Sequence, residues 1–204
     1  MKALVLNALG GGFDFEDVDI AASIAREVLV DVQASGLCHT DLLFATHDFV
    51  PTPSVLGHEV AGVVAAIGPD VAQIRVGDPV VGSLAQACGG CGRCLSGRSF
   101  QCRHPESTVR RATDAPRLSR NGAGLFQGFG LGGFAEQALI HENQLAAVPK
   151  ELPFAQAALL GCGVVTGAGS VLNTATVSVG DTVVIFGAGG VGLNAVSGAH
   201  RRSL

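Results

Sequence analysis

Four cysteines within one short glycine-rich stretch constrain this chain more than any other feature. They stand at Cys88, Cys91, Cys94 and Cys102, in the spacing C-x2-C-x2-C-x7-C. Four thiolates so spaced can close a tetrahedron around one Zn²⁺, and they leave no open position for water or substrate. We therefore predict a structural zinc lobe over residues 86–104, whose folding depends on the metal. Incidental thiols or disulfides are the alternative.

Composition and charge favour a cytoplasmic protein without a nucleic-acid or membrane partner. The net charge of −4 and the pI of about 5.8 give no basic surface for nucleic acid or an anionic membrane. The N-terminal segment lacks the length and cleavage site of a secretory signal. In the reducing cytoplasm, clustered cysteines favour metal binding over disulfides.

One uncharged stretch, from Pro153 to Gly180, is long enough to span a bilayer. It contains Gln156, Asn173 and several glycines, serines and threonines. These polar and small residues favour a buried, closely packed segment over a transmembrane helix. We therefore predict no membrane partner.

Up to about residue 150 the sequence predicts short strands separated by turn residues. The predicted strands are Ala3–Leu6, Phe13–Ile20, Val28–Ala34, Val60–Ile67 and Pro79–Ser83. Such a series is typical of a β-barrel or a folded-over sheet. Residues 103–130 show neither hydrophobic period, so we predict a long surface loop there.

The pattern changes after Pro149. Residues 153–175 have helical apolar spacing, and Thr182–Phe186 reads as a buried strand. Gly187, Gly189 and Gly192 then form G-x-G-x-x-G at the start of an apolar helix. Strand, glycine turn and helix together are typical of a dinucleotide-binding unit, in which the helix N-terminus receives a pyrophosphate. A plain tight turn is the alternative.

Cys38, His58 and Cys162 suggest a second metal site. Taken singly, each is more often a core thiol or a hydrogen-bonded turn histidine. Together they supply Cys2His, a set that leaves a fourth zinc position open for water or substrate. This interpretation requires the three side chains to converge.

The motifs as a set resemble the zinc-containing medium-chain alcohol dehydrogenases. They are GLCHTD (36–41), GHE (57–59), the four-cysteine lobe (88–102), GCG (161–163) followed by Thr166, and GAGGVG (187–192). They occur in that family's order with similar spacing, and they cover essentially the whole chain.

The resemblance implies an α+β, mainly β fold. Residues 1–150 would form a GroES-like catalytic domain, a partly open β-barrel with the structural zinc lobe. Residues 151–204 would form a linking helix and the first β-α unit of a Rossmann domain. The resemblance also implies two Zn²⁺ per chain, NAD(P) as cofactor, and oxidation of a small-molecule alcohol to an aldehyde or ketone.

The resemblance also implies residue roles at the catalytic metal. Cys38, His58 and Cys162 match the catalytic zinc ligands, and Asp41 matches the carboxylate that orients the histidine. Glu59 matches the acid behind the metal, and Thr40 matches the hydroxyl that takes the alcohol proton.

The resemblance also implies which residues contact the cofactor. His39 matches a basic group on the cofactor pyrophosphate, and Thr166 and Val191 match residues behind the nicotinamide. The glycine turn at Gly187, Gly189, Gly190 and Gly192 matches the pyrophosphate cradle. Phe44, Leu84 and residues 103–130 are candidates to shape a pocket for medium-sized or aromatic primary alcohols.

Two departures accompany the resemblance. Leu43 stands where well-studied members carry the outer histidine of a proton relay. The family's sheet also needs several parallel strands, whereas this sequence supplies a single one. We therefore expect a C-terminally truncated or frame-shifted product. A catalytically inactive zinc-binding remnant is therefore the alternative function, whereas zinc-free quinone reductases are disfavoured by both cysteine sets. Members of the family are homo-oligomers, and neither the assembly of this chain nor its choice between NAD and NADP follows from the sequence.

Overall fold

The computed structural model describes residues 1–202, arranged as three β-sheets with few helices. The strands are β1 (Lys2–Leu6), β2 (Asp14–Asp17), β3 (Asp19–Ile20), β4 (Glu27–Gly36), β5 (Ser54–Val55), β6 (Glu59–Ile67), β7 (Pro79–Gly82), β8 (Leu118–Arg120), β9 (Ala123–Gly124), β10 (Phe126–Gln127), β11 (Gln137–His141) and β12 (Leu145–Ala147). The helices are α1 (His39–Thr46), α2 (Gly92–Leu95), α3 (Phe154–Leu159), α4 (Val165–Gly169) and α5 (Gly190–Arg202). The predicted strands before residue 85 are present, although Phe13–Ile20 is divided between β2 and β3.

A five-stranded antiparallel sheet forms the main core, in the order β11-β4-β6-β7-β12. Alternate residues of the long strands point inward, and Val28, Val30, Val60 and Val64 are almost completely buried. They pack with Leu131 and further apolar side chains in one cluster. This burial is what aligns β4 and β6, whose ends carry the candidate metal ligands.

The predicted surface loop at residues 103–130 is wrong in its second half. Strands β8, β9 and β10 lie there, and Leu118 and Leu125 are buried in a second apolar cluster. These strands have only two or three residues each, too few to display a period of two in the sequence.

A buried ion cluster fixes this segment to the barrel. Glu27 accepts hydrogen bonds from Arg110 at 2.6 and 2.9 Å and from Arg117 at 2.7 Å, and it is 3% exposed. Burial opposes ionisation of Glu27, but the two guanidinium groups outweigh it and hold the pKa of this carboxyl below its ordinary value.

The predicted helix after Pro153 is present and runs from Phe154 to Thr174, with π-type turns at Leu160–Val164 and Ser170–Thr174. It is long and apolar enough to cross a membrane by length and composition, a test that helices of soluble proteins also pass. Ala157 and Ala158 pack against Ala61 of β6, whereas Val165 is 57% exposed. The expectation of a buried, closely packed segment therefore holds for one face of this helix and is wrong for the exposed remainder.

The predicted strand Thr182–Phe186 pairs with no other strand within residues 1–202. A parallel strand gains its hydrogen bonds only from neighbouring strands. Phe186 is consequently 95% exposed. The helix predicted after the glycine turn is present as α5, and Ser203 and Leu204 lie outside the described residues.

Candidate metal and cofactor sites

The four clustered cysteines converge on one point. The Sγ atoms of Cys91 and Cys94 are 3.6 Å apart, those of Cys88 and Cys94 are 3.9 Å apart, and those of Cys91 and Cys102 are 4.0 Å apart. Four sulfurs at about 2.3 Å from a tetrahedral Zn²⁺ lie about 3.8 Å from one another. The donor set and its spacing therefore fit one Zn²⁺ with no position left open.

Backbone amides of the lobe point at the thiol groups. The amide of Cys88 donates to Sγ of Cys102 at 3.2 Å, and the amide of Cys91 donates to Sγ of Cys88 at 3.3 Å. Hydrogen bonds from the Arg103 and Cys94 amides lower the pKa of Cys91 to about 6, and desolvation raises the pKa of Cys94 to about 12. Metal binding requires thiolates, and the amide donors stabilise that form.

Cys38, His58 and Cys162 also converge, although long stretches of sequence separate them. Their ligand atoms lie within 4.8 Å of one another, and the two Sγ atoms are 4.0 Å apart. Cys38 caps the N-terminus of α1, His58 precedes β6, and Cys162 lies in the π-type turn Leu160–Val164. Two thiolates and one imidazole fit a zinc site that keeps a fourth position open.

Asp41 joins two of these ligands. One carboxylate oxygen accepts from the backbone N–H of Cys38 at 3.1 Å, which closes the first turn of α1. The other lies 3.1 Å from Nδ1 of His58 and also accepts from the amide of Gly57 at 3.2 Å. A proton on Nδ1 donated to Asp41 leaves the Nε2 lone pair of His58 free for a metal.

The pKa values of the three groups follow from their contacts. Burial opposes the charged forms of Cys38 and His58, but hydrogen bonds from Thr40 and His58 lower the pKa of Cys38, and Asp41 and Cys38 raise the pKa of His58. Burial and the adjacent Cys38 raise the pKa of Cys162 to about 12. Of the two thiols in this group, Cys38 is therefore the one that ionises more readily.

The other predicted residues of this centre occupy different positions around it. Thr40 hydrogen-bonds to the Cys38 thiol, and Glu59, which is 5% exposed, hydrogen-bonds to the Cys162 thiol. Gly36 permits this arrangement, because a Cβ atom there would lie 2.2 Å from Oε2 of Glu59. His39 is exposed on the first turn of α1.

Phe129 borders the centre, and the sequence reasoning did not single it out. Its ring meets the ring of His58 edge-on, with centroids 5.1 Å apart, and stacks on Phe44 at 5.3 Å. Its backbone is left-handed, with φ of 54°. No local sequence pattern marks a phenylalanine with a left-handed backbone. The sequence pointed to Phe129 only through its position within residues 103–130, which were candidates to shape the substrate pocket.

The glycine turn lies at the start of α5. Gly187 has φ of 97°, and a Cβ atom on Gly192 would lie 2.0 Å from the Gly187 carbonyl oxygen, so this turn requires glycine. A Cβ atom on Gly189 or Gly190 would meet no atom within 4 Å, so the approach to the helix N-terminus is open. These features fit a pyrophosphate.

Helices α4 and α5 cross closely beside this turn. A Cβ atom on Gly167 would lie 2.2 Å from the carbonyl oxygen of Val191 and 2.8 Å from Cβ of Asn194. Thr166 directly precedes Gly167 on α4. The side chains of Thr166 and Val191 are exposed.

The model of the alcohol dehydrogenase GroES-like domain family matches residues 24–150. The chain belongs to this family. Its mixed sheets with few helices agree with the fold that the sequence motifs implied.

Similar proteins carry related names. A protein of Amycolatopsis methanolica named NDMA-dependent alcohol dehydrogenase is 39% identical over 201 residues, which are 97% of this chain and 54% of the relative. An S-(hydroxymethyl)glutathione dehydrogenase of Photobacterium damsela subsp. piscicida is 38% identical over 208 residues, with coverage of 98% and 56%.

Two solved structures are also similar. An alcohol dehydrogenase zinc-binding domain protein from Burkholderia ambifaria superimposes with a TM-score of 0.91 at 42% identity, over 98% of this chain and 56% of that one. The benzyl alcohol dehydrogenase of Acinetobacter calcoaceticus gives a TM-score of 0.87 at 36% identity, with coverage of 98% and 55%. The chain thus spans about half the length of these relatives.

Proposed function

We propose that the chain takes part in the zinc-dependent oxidation of an alcohol to an aldehyde or ketone, with NAD(P)⁺ as the hydride acceptor. The observation that carries this proposal is the convergence of Cys38, His58 and Cys162, with Asp41 on Nδ1 of His58. The names of the relatives support the same reaction class.

The proposed zinc ligands are Cys38, His58 and Cys162 at the open site and Cys88, Cys91, Cys94 and Cys102 in the lobe, giving two Zn²⁺ per chain. Zinc at the open site would supply a Lewis acid for the alcohol oxygen. The second zinc ion, bound by the four cysteines of the lobe, would hold residues 86–104 in shape.

The surrounding residues would perform the remaining tasks. Asp41 would fix the tautomer of His58, and Glu59 would be the acid that lies behind the metal. The Thr40 hydroxyl would receive the alcohol proton. Leu43 offers no acceptor and is 37% exposed, so the proton would leave to water.

The proposed nicotinamide site lies at the crossing of α4 and α5. Gly187, Gly189, Gly190 and Gly192 would receive the pyrophosphate at the helix N-terminus, with His39 as a further cation. Thr166 and Val191 would stand behind the nicotinamide. The open space over Gly189 and Gly190 supports this placement.

For the substrate we propose an apolar or aromatic primary alcohol. Support comes from the stacked rings of Phe44 and Phe129 beside His58, and from one similar structure named benzyl alcohol dehydrogenase. Apolar rings beside a metal exclude water and favour an apolar substituent on the reacting carbon.

The zinc-binding remnant without turnover is the second candidate, and the segment Thr182–Phe186, which pairs with no other strand within residues 1–202, favours it. We further propose a boundary near residue 150 between the barrel domain and the nucleotide-binding unit, and a cytoplasmic location. The family's homo-oligomeric assembly remains a proposal for this chain.

The test begins with zinc content and a titration of the zinc-loaded chain with NADH, followed by nicotinamide fluorescence. Two zinc ions per chain with saturable NADH binding, and NADH formation from NAD⁺ and benzyl alcohol, would support oxidation. Two zinc ions without NADH binding would favour the remnant. A folded chain that holds no zinc at Cys38, His58 and Cys162 would refute both.

A further inference from the structure

We infer that Gln144 is a positioning residue, whose side-chain amide holds Phe129 against His58 at the open metal site. This inference deepens the proposed function and rests on it, because it concerns the aromatic wall of the same site. Nothing in the motif pattern points to Gln144, which lies between β11 and β12.

The Gln144 amide bridges two backbone carbonyl groups. Its Nε2 donates to the carbonyl oxygen of Phe129 at 2.9 Å and to that of Ser83 at 3.0 Å. Gln144 is 1% exposed, and its Oε1 has no hydrogen-bond partner among the described residues. Burying an unpaired oxygen is unfavourable. The two hydrogen bonds that the amide nitrogen donates offset this cost, and they account for an amide at this position.

Gln144 is itself fixed on the opposite side. The backbone N–H of Ser83 donates to the Gln144 carbonyl oxygen at 2.7 Å, while the Gln144 side chain donates to the Ser83 carbonyl. This reciprocal pair ties Gln144 to the end of β7. The amide that reaches Phe129 therefore projects from a rigid part of the barrel.

Phe129 needs such support because its conformation is unfavourable for a residue with a side chain. Its φ of 54° lies in the left-handed region, where Cβ crowds the backbone. Gly130 follows with φ of 70°, and a Cβ atom there would lie 3.1 Å from Oε1 of Gln144. The glycine thus allows the turn to approach Gln144 closely.

The left-handed turn at Phe129 and Gly130 directs the Phe129 ring toward the metal centre. The ring lies between Phe44, on which it stacks, and His58, which it meets edge-on. Loss of the Gln144 donors removes the bond that holds the Phe129 carbonyl, and the left-handed residue then relaxes. The ring of Phe129 would move away from His58.

Gln127 provides a matched control. Its Nε2 also bridges two backbone carbonyls, of Leu131 at 2.9 Å and Leu139 at 3.1 Å, and its Oε1 is also buried with no partner in the part of the chain that the structure describes. It holds the far end of the same turn but does not bond to Phe129. Gln127→Met therefore removes the same chemistry without removing the Phe129 bond.

The experiment is ¹⁹F NMR of the chain labelled with 4-fluorophenylalanine, with the resonance of Phe129 assigned by Phe129→Leu. We expect Gln144→Met to move or broaden this resonance by more than its line width, and Gln127→Met to leave it in place. An unchanged Phe129 resonance in folded Gln144→Met would overturn the inference. An equal change in both variants would also overturn it, because the effect would then be one of general loosening.

A second variant covers the case in which Gln144→Met does not fold. Gln144→Asn keeps a buried amide that is one methylene too short to bridge both carbonyls, and the same displacement of Phe129 is expected. In the wild-type chain, slow hydrogen exchange of the Gln144 side-chain amide is expected, and exchange as fast as that of an exposed glutamine would contradict the inference. None of these measurements requires turnover, so failure of the proposed function would be seen separately, in zinc content and NADH binding.

Discussion

The carboxylate of Asp41 and the ring of His58 meet at 3.1 Å between Oδ1 and Nδ1, and both side chains are almost completely buried. The other carboxylate oxygen of Asp41 accepts from the Cys38 amide at the start of α1. One carboxylate thereby sets the orientation of two candidate ligands on different elements.

We predict that Asp41→Asn weakens zinc binding at the open site by about 10- to 100-fold, since loss of a supporting partner has this effect on metal centres. Competition with a chromophoric chelator measures the affinity. Zinc in the four-cysteine lobe is the internal control and should be retained. Equal affinity in the variant and the wild type would show that Asp41 does not support the ligand.

We predict that Cys94→Ser removes the lobe zinc and unfolds residues 86–104, because a structural site needs all four thiolates. Hydrogen exchange read by mass spectrometry would show fast exchange across this stretch. The matched variant Cys162→Ser should lose the other zinc and keep the lobe protected. A protected lobe in zinc-free Cys94→Ser would contradict a structural role for the metal.

The Glu27 cluster predicts a large effect from one substitution. Glu27→Gln leaves Arg110 and Arg117 without their buried anion, and breaking such a pair costs about 3–5 kcal/mol of unfolding free energy. Urea denaturation measures the change. Asp17→Asn, which breaks the exposed pair with Lys2, is the control and should have little effect. Similar stability of both variants would mean that the buried cluster contributes no more than a surface pair.

The same carboxyl predicts a pH dependence. Because the folded state lowers the pKa of Glu27, its stabilising contribution is present above the unfolded value of about 4.3 and is lost as pH falls through the folded value. The difference in unfolding free energy between wild type and Glu27→Gln should therefore shrink as the solution is acidified below that point. A difference that stays constant with pH would assign the effect to packing.

Two glycines flanking Cys162 provide the last prediction. A Cβ atom on Gly161 would lie 2.1 Å from the carbonyl oxygen of Gly82, whereas one on Gly163 would lie 3.7 Å from its nearest neighbour, Oε1 of Glu59. We expect Gly161→Ala to lower the thermal midpoint and displace the helix from β7. Gly163→Ala should be neutral or slightly stabilising, because alanine favours helix. The opposite order would show that the helix shifts at little cost.

The spacing of Cys88, Cys91, Cys94 and Cys102 within one short stretch is enough to predict that their thiols converge, whereas the convergence of Cys38, His58 and Cys162 could be expected only from the resemblance to a family. Glu27, Gln144 and Phe129 could not be found in this way. Glu27 meets Arg110 and Arg117 across separations of 83 and 90 residues, and the left-handed turn at Phe129 depends on an amide 15 residues later. Thr182–Phe186 was wrongly predicted as a buried strand, since local propensity does not supply the neighbours that would cover it.

The open metal site also has a mechanical consequence. Cys38 and Cys162 are 124 residues apart in sequence, and the first lies on the barrel while the second lies on the helix that leads to the glycine turn. An ion bound by both thiols would link two points of the chain that are 124 residues apart, as a disulfide does. Unlike a disulfide, this link would be removed with the ion. Chelation would then remove this link, and the C-terminal helices would depend on packing such as that of Ala157 and Ala158 against Ala61.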